Sequence, residues 1–234
     1  MIDIHSHILP GVDDGSRDFE TSVEMVKWLG CQGFTDVVAT PHYVDETDYT
    51  VSSVKNATLV VKLRSELEKA GVNVNIYLGN EIYICRDIEK LIERQEITGI
   101  NGSKYLLIEL PMSGEFPNYE DIFLELMQRG FKVILAHPER YESFKEDFDL
   151  IVNLHESGVL FQCNLGSLVD RYGKKARKVL IKMLKNKMVF AFGSDLHRPG
   201  GTDYLIAARK KLAKYLDEQE LDEVLVRNPA QILF

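Results

Sequence analysis

Two hydrophobic periods alternate from one end of the chain to the other. Short continuous apolar runs such as Asp36-Val37-Val38-Ala39-Thr40 and Tyr105-Leu106-Leu107-Ile108-Glu109 have the length and content of strands covered on both faces. Between them, apolar residues recur three or four apart, as in Val23, Val26 and Leu29 or Leu59, Leu63 and Leu67, which is the spacing of one helix face. The pattern predicts strands over residues 1–9, 36–40, 72–78, 105–109, 132–137, 159–164 and 188–195. Helices are predicted over about 18–32, 51–70, 86–93, 119–129, 148–157 and 169–186, and then over about 203–216 and 219–226. Gly33 stops the first helix. With no internal repeat and no dividing linker, this alternation predicts a single α/β domain over residues 1–234. The expected architecture is a (β/α) barrel of about seven parallel strands, one short of the usual eight.

Composition narrows the function classes. The chain has 234 residues, 45% hydrophobic and 27% charged, enough to bury a core without staples. Its net charge of −8 argues against a surface that tracks nucleic-acid phosphates. Three scattered cysteines, Cys31, Cys85 and Cys163, point to a reducing compartment rather than a disulfide framework. No apolar run reaches the roughly 18 residues of a membrane span, and no basic-then-apolar leader opens the chain. The expectation is a cytoplasmic protein without membrane insertion.

The chemistry lies where the predicted strands end. In barrels, functional groups gather at the C-terminal ends of strands. Those ends offer His5 and His7, His42, Glu81, Glu109, His137, and Asp195 with His197. Five of the six histidines lie there, and His155, within a predicted helix, reads as surface. The Phe161-Gln162-Cys163-Asn164 strand alone offers no usual ligand. Taken singly, each residue has an ordinary explanation: a packed histidine, a paired buried acid at Glu109, an N-cap at Asp195. Taken together they do not, because uncompensated buried carboxylates cost several kcal/mol each. Imidazoles and carboxylates converging on one rim are the ligand set of Mn, Fe or Zn, so a polynuclear metal site is expected.

Several motifs carry a family resemblance: His5-Ser6-His7 with Asp13-Asp14-Gly15, Thr40-Pro41-His42, Gly79-Asn80-Glu81-Ile82, Leu107-Ile108-Glu109, Ala136-His137-Pro138-Glu139-Arg140 and Ser194-Asp195-Leu196-His197. Together they resemble the polymerase-and-histidinol-phosphatase (PHP) superfamily, over nearly the whole chain. Within it the chain is most similar to the bacterial manganese-dependent protein-tyrosine phosphatases of capsule and exopolysaccharide operons. The resemblance implies a distorted, TIM-like barrel and three divalent ions, Mn2+ first, with Fe or Zn as alternatives. One ion would take His5, His7, Glu81 and Asp195. A second would share Glu81 and add Glu109 and His137. A third would take His42, His197 and Asp14, with the adjacent Asp13 as the alternative.

Three such ions against four carboxylates leave roughly two positive charges, which attract a phosphate monoester dianion. The implied reaction is attack of a metal-bound hydroxide on phosphotyrosine in the tail of a membrane-associated bacterial tyrosine kinase. No cysteine sits in a phosphate loop, so no thiol nucleophile is expected. Arg140 is the expected phosphate clamp, because a guanidinium presents a planar fork to phosphate oxygens. The related phosphatases carry a later arginine near the position of Thr202, and Arg198 is expected to take over that contact. Tyr43, Tyr83, Phe116 and Tyr119 are candidates for an aromatic rim, and the basic run 171–187 reads as a solvated helix face. Two alternatives stand beside this reading: a small-molecule phosphatase of histidinol-phosphate type, and a non-catalytic metal-binding regulatory module.

Overall fold

A computed structural model describes residues 1–114, 116–200 and 203–234. Thr202 therefore lies outside the described residues. The strands are β1 (Ile2–Ser6), β2 (Asp36–Ala39), β3 (His42–Tyr43), β4 (Asn75–Leu78), β5 (Glu81–Tyr83), β6 (Tyr105–Glu109), β7 (Lys132–Ala136), β8 (Leu160–Asn164) and β9 (Ala191–Gly193). All pair in parallel, in one sheet of order β1-β2-β4 and a second of order β3-β5-β6-β7-β8-β9. The described residues thus form two sheets, where the hydrophobic pattern predicts one uninterrupted series. Pro41, which has no N–H to donate to a ladder, separates β2 from β3. The two residues Gly79 and Asn80 separate β4 from β5.

The sheets curl toward each other. Beyond β9, Asp195 N donates to His5 O at 2.9 Å and His7 N donates to Leu196 O at 2.9 Å, so the chain after β9 runs along β1. The result is an α/β fold around a curled parallel sheet.

Helices cover the outside. They are α1 (Phe19–Cys31), α2 (Ser53–Lys69), α3 (Ile88–Glu93), α4 (Tyr119–Gln128), α5 (Glu142–Glu146), α6 (Asp149–Glu156), α7 (Gly173–Lys185), α8 (Tyr204–Leu212), α9 (Glu218–Asp222) and α10 (Asn228–Leu233). Local chemistry sets several starts. Asp18 caps α1 by accepting from Thr21 N, and Asp217 with Glu220 forms a reciprocal capping box on α9. Two expectations need correction. The predicted helix over 169–186 begins only at Gly173, because Asp170 (φ 65°) and Gly173 (φ 86°) are left-handed and interrupt it. The predicted final helix over 219–226 is instead α9, a wide π-type turn over Glu223–Arg227, and α10, which takes Pro229 in its first turn.

Two apolar cores result. A large one, including Met25, Leu29, Leu63, Ile108, Phe123, Leu135 and Phe192, lies between strands and helices. A smaller one of Ile2, Ile4, Val38, Leu107, Ile134 and Ala191 includes Ile232 and Leu233 of α10. Asn228 Nδ2 on the carbonyl of Phe190 and Asn101 Nδ2 on that of Leu233 tie α10 beneath the sheet, away from the strand C-termini. Among the described residues, no helix is long and apolar enough to cross a membrane.

Candidate metal centre and catalytic cleft

β1 brings the first two imidazoles together. Its register against β2 shifts between Asp3 and Ser6, so a bulge sits beside His5, the kind of irregularity that re-aims a side chain next to a site. His5 and His7 are fully buried, with their Nε2 atoms 3.1 Å apart. Both face Glu81 Oε2 from β5, at 3.1 and 3.2 Å, and Asp195 Oδ1 at 3.6 Å each. Donors about 2.1 Å from one cation stand about 3.0 Å apart in an octahedron and about 3.4 Å apart in a tetrahedron, the spacing that His5 Nε2, His7 Nε2 and Glu81 Oε2 show among themselves, with Asp195 Oδ1 slightly farther from the two imidazoles. Glu81 Oε2 and Asp195 Oδ1 are both buried without a hydrogen-bond partner. Such orphans are costly unless a cation meets them, so the residues present fit a metal ion.

Two further groups adjoin the first. The other Glu81 oxygen, Oε1, is 2.9 Å from His137 Nε2, and Glu109 Oε1 is 3.6 Å from the same nitrogen. Glu81 thus reaches both groups with different oxygens. On the opposite side, Asp14 Oδ1 lies 3.6 Å from His42 Nε2 and 3.4 Å from His197 Nε2. Asp13 does something else. Its carboxylate accepts from His7 Nδ1 at 2.8 Å and from the backbone N–H groups of Gly15 and His42. It orients His7 and leaves Asp14 facing the other imidazoles. Gly15 is required there, since a Cβ would sit 2.2 Å from His7 O.

Two non-glycine residues of the cluster have left-handed backbone, His137 (φ 34°) and Asp195 (φ 51°). Strain of this kind persists where the surroundings over-determine it, and it concentrates at functional sites.

The electrostatics are those of crowded charges. Burial opposes a proton on His5, but Glu81 and Asp195 outweigh it and raise the imidazole to about 9. His7 is raised too, with Asp13 and Glu81 overcoming its burial. Burial, and next the charge of Glu81, lifts Glu109 to about 9. Burial also lowers His137 to about 4, which keeps it a neutral imidazole, the form that binds metals. Glu81 and Asp195 stay below the usual carboxylate range despite burial, chiefly because of His5.

Strand β8, which offers no usual ligand, supplies supports instead. Gln162 Oε1 accepts from His5 Nδ1 at 2.7 Å, and Asn164 Nδ2 donates to Asp195 Oδ2 at 2.7 Å. Buried Glu139 holds this strand end by accepting from Asn164 N and Ser167 Oγ. The sequence reading missed all three. The available signal was Gln162 and Asn164 standing two apart in an apolar strand, the same spacing as His5 and His7.

A cleft of about 430 Å³ opens over the cluster, lined by Asp14, His42, Glu81, Glu109, His137, Arg140 and His197, with Tyr49, Tyr83 and Met112. Arg140 lies at its wall, donates to Asp195 Oδ2, and does not pair with Glu139. Arg198 is exposed and is not among the residues that line the cleft. His197 takes the inward direction, and its neighbour along the chain faces out. The aromatic rim changes too. Tyr83 lines the cleft, but Tyr43 is buried, with its hydroxyl on Glu96. Phe116 and Tyr119 line a separate pocket of about 280 Å³. Tyr49, stacked over His42 with ring centroids 6.1 Å apart, stands at the rim in their place. His155 is exposed on α6, and the three cysteines are free and outside the cleft.

Comparison with known proteins follows the same outline. The chain is 36% identical over 225 residues to a putative tyrosine-protein phosphatase, CapC, of Staphylococcus aureus, covering 94% of this chain and 87% of that one. It is 32% identical to the tyrosine-protein phosphatase YwqE of Bacillus subtilis, covering 84% and 77%. Among solved structures, one described with YwqE of B. subtilis and CpsB of Streptococcus pneumoniae, "unique metal-dependent tyrosine phosphatases", superposes with a TM-score of 0.93 at 28% identity, covering all of this chain and 94% of that one. A Listeria monocytogenes lactonase at 13% identity and a TM-score of 0.60 shares the fold alone. The family model described as "Capsular polysaccharide synthesis, CpsB/CapC" matches residues 1–234, and this chain belongs to that family.

Proposed function

We propose that this chain is a metal-dependent protein-tyrosine phosphatase that hydrolyses phosphotyrosine on the tail of a bacterial tyrosine autokinase. In that role it regulates capsular or exopolysaccharide biosynthesis from the cytoplasm. One observation carries the reading: five imidazoles and four carboxylates converge on one rim beside the Arg140 guanidinium. The relatives named as tyrosine phosphatases support it.

In this reading residues 1–234 act as one domain. β2 with β3, and β4 with β5, are two broken strands, so the nine strands fill seven positions of a PHP-type barrel. His5, His7, Glu81 and Asp195 would hold one divalent ion. Glu81, Glu109 and His137 would hold a second, and Asp14, His42 and His197 a third. Mn2+ is the preferred ion, with Fe or Zn compatible with the same nitrogen and oxygen donors. Bound there, the ions supply Lewis acidity that activates water and offsets phosphoryl charge.

The chain's own residues do the rest. Arg140 binds phosphate oxygens from the wall, and Tyr49 and Tyr83 flank the phenyl ring. Gln162, Asn164 and Asp13 hold the ligands in orientation, a role that outer hydrogen bonds play at metal sites generally.

The test compares Mn2+-loaded protein on a phosphotyrosine peptide and on histidinol phosphate, with a chelated control. Faster peptide turnover, lost on chelation, is expected. Turnover of histidinol phosphate at an equal or higher kcat/KM would replace this reading with the small-molecule one. No hydrolysis of either substrate would leave a metal-binding module.

A further inference from the structure

The break ahead of α7 sends one side chain into the site. Between the short turn Leu165–Val169 and the helix, left-handed Asp170 and Gly173 bracket Arg171 and Tyr172 in a tight elbow. Backbone bonds close it, from Arg171 N to Gly166 O at 3.2 Å and from Gly173 N to Asp170 O at 3.0 Å. Asp170 is further fixed by Arg177, at 2.5 Å. Gly166 lies directly beneath: a Cβ there would stand 2.8 Å from Arg171 Cδ and 3.3 Å from Tyr172 Cε2.

The elbow presents the Tyr172 ring to Arg140, whose guanidinium carbon lies 4.4 Å from the ring centroid. At the same time the Tyr172 hydroxyl donates to Asp195 Oδ2 at 3.3 Å, the oxygen that also receives Arg140 and Asn164. Arg140 is thus held on one face by an aromatic ring and at its tip by a carboxylate that the same tyrosine contacts. An arginine side chain carries about 2 kcal/mol of rotamer entropy, and a planar fork binds phosphate well only when its plane is set. Arg198 is exposed and Arg140 lines the cleft, so Arg140 is the guanidinium already placed at the site.

We propose that Tyr172 is a positioning residue for phosphate recognition, acting through Arg140 by stacking its ring on the guanidinium. The inference rests on Arg140 being the phosphate clamp of the function proposed above. Stacking is the main element, because the ring contact is close and the hydroxyl contact is long.

The experiment uses full-length, Mn2+-loaded protein with inorganic phosphate as the probe, measured by calorimetry. KM and kcat on a phosphotyrosine peptide and metal content are measured alongside. Tyr172→Leu is expected to weaken phosphate binding and raise KM by about tenfold, the scale of one desolvated cation–π contact, with full metal content. Tyr172→Phe, which keeps the ring, should stay within about twofold of wild type. In an Arg140→Lys background, Tyr172→Leu should have little further effect, because its route through the guanidinium is gone. An equal loss in both backgrounds, or wild-type phosphate binding in Tyr172→Leu, overturns the proposal. So does a loss in Tyr172→Phe equal to that in Tyr172→Leu, since it would assign the effect to the hydroxyl. Failure of the wild type to turn over the peptide would instead strike the phosphatase reading itself.

Discussion

At the scale of single residues, the two neighbouring aspartates of the first loop have different jobs. Asp14 faces His42 and His197, whereas Asp13 binds His7 Nδ1 and two backbone N–H groups. If the proposed function holds, removing an imidazole of the cluster and removing the carboxylate that orients one should therefore differ in size. His42→Ala is expected to cut phosphotyrosine hydrolysis by about 100-fold or more, with loss of bound metal and little change in far-UV circular dichroism. Asp13→Asn should lower metal affinity or activity by about 10- to 100-fold, the usual effect of an outer hydrogen bond. Metal titration with activity at saturation separates the two. Wild-type metal affinity in both variants would contradict the assignment. The residue types that gather at the site were legible from the chain because His, Asp and Glu at predicted strand ends stand out against apolar runs. The choice between Asp13 and Asp14 was not, because a carboxylate's direction one residue along a loop depends on what lies across the cleft.

At the scale of elements, close packing between strands sets the geometry of the first donor group. β9 passes so near β1 that a Cβ on Gly193 would lie 2.6 Å from His5 Cβ and 2.8 Å from Gln162 Nε2. Gly193→Ala should therefore push His5 away from its partners. A melting temperature lowered by several degrees is expected, matching an overpacking cost of about 1–3 kcal/mol, together with weakened metal binding. Thermal melts with and without Mn2+ check it, and an unchanged stabilisation by Mn2+ would refute it. Helices with a clear period and an Asp cap, such as α1, lie within a residue of their predicted limits. The elbow before α7 was invisible in the pattern, since Val169, Ala176, Val179 and Leu180 continue a helical spacing through residues whose backbone turns left-handed.

At the scale of the whole molecule, the site concentrates buried charge that needs a countercharge, from protons or from cations. His5 and Glu109 both hold a proton more tightly when folded, each at about 9 against ordinary values of 6.5 and 4.5. Groups raised in this way stabilise fully below their unfolded values and lose that contribution as pH rises toward the folded value. Both contributions fall between about pH 6.5 and 9. His137, lowered to about 4, acts in the opposite direction, but its loss comes only as pH falls below 6.5. Chelated protein should therefore melt at progressively lower temperature from pH 6.5 to 9, while Mn2+ largely removes the slope by replacing protons as the countercharge. Calorimetric melts across that range test it. A chelated protein whose melting temperature is flat or rising there would refute the linkage.

The sequence by itself determined the alternation of strands and helices and the residue types that gather at the strand ends. Both follow from local periodicity and from the cost of burying polar groups without partners. Only the tertiary structure decided which donors share a group, that Gln162, Asn164 and Asp13 support them, and that Arg198 turns away while Tyr172 reaches Arg140. Those facts depend on how β1, β8, β9 and the turn before α7 approach one another. Contacts between residues more than a hundred positions apart, such as His5 with Gln162, leave no periodic trace in the chain.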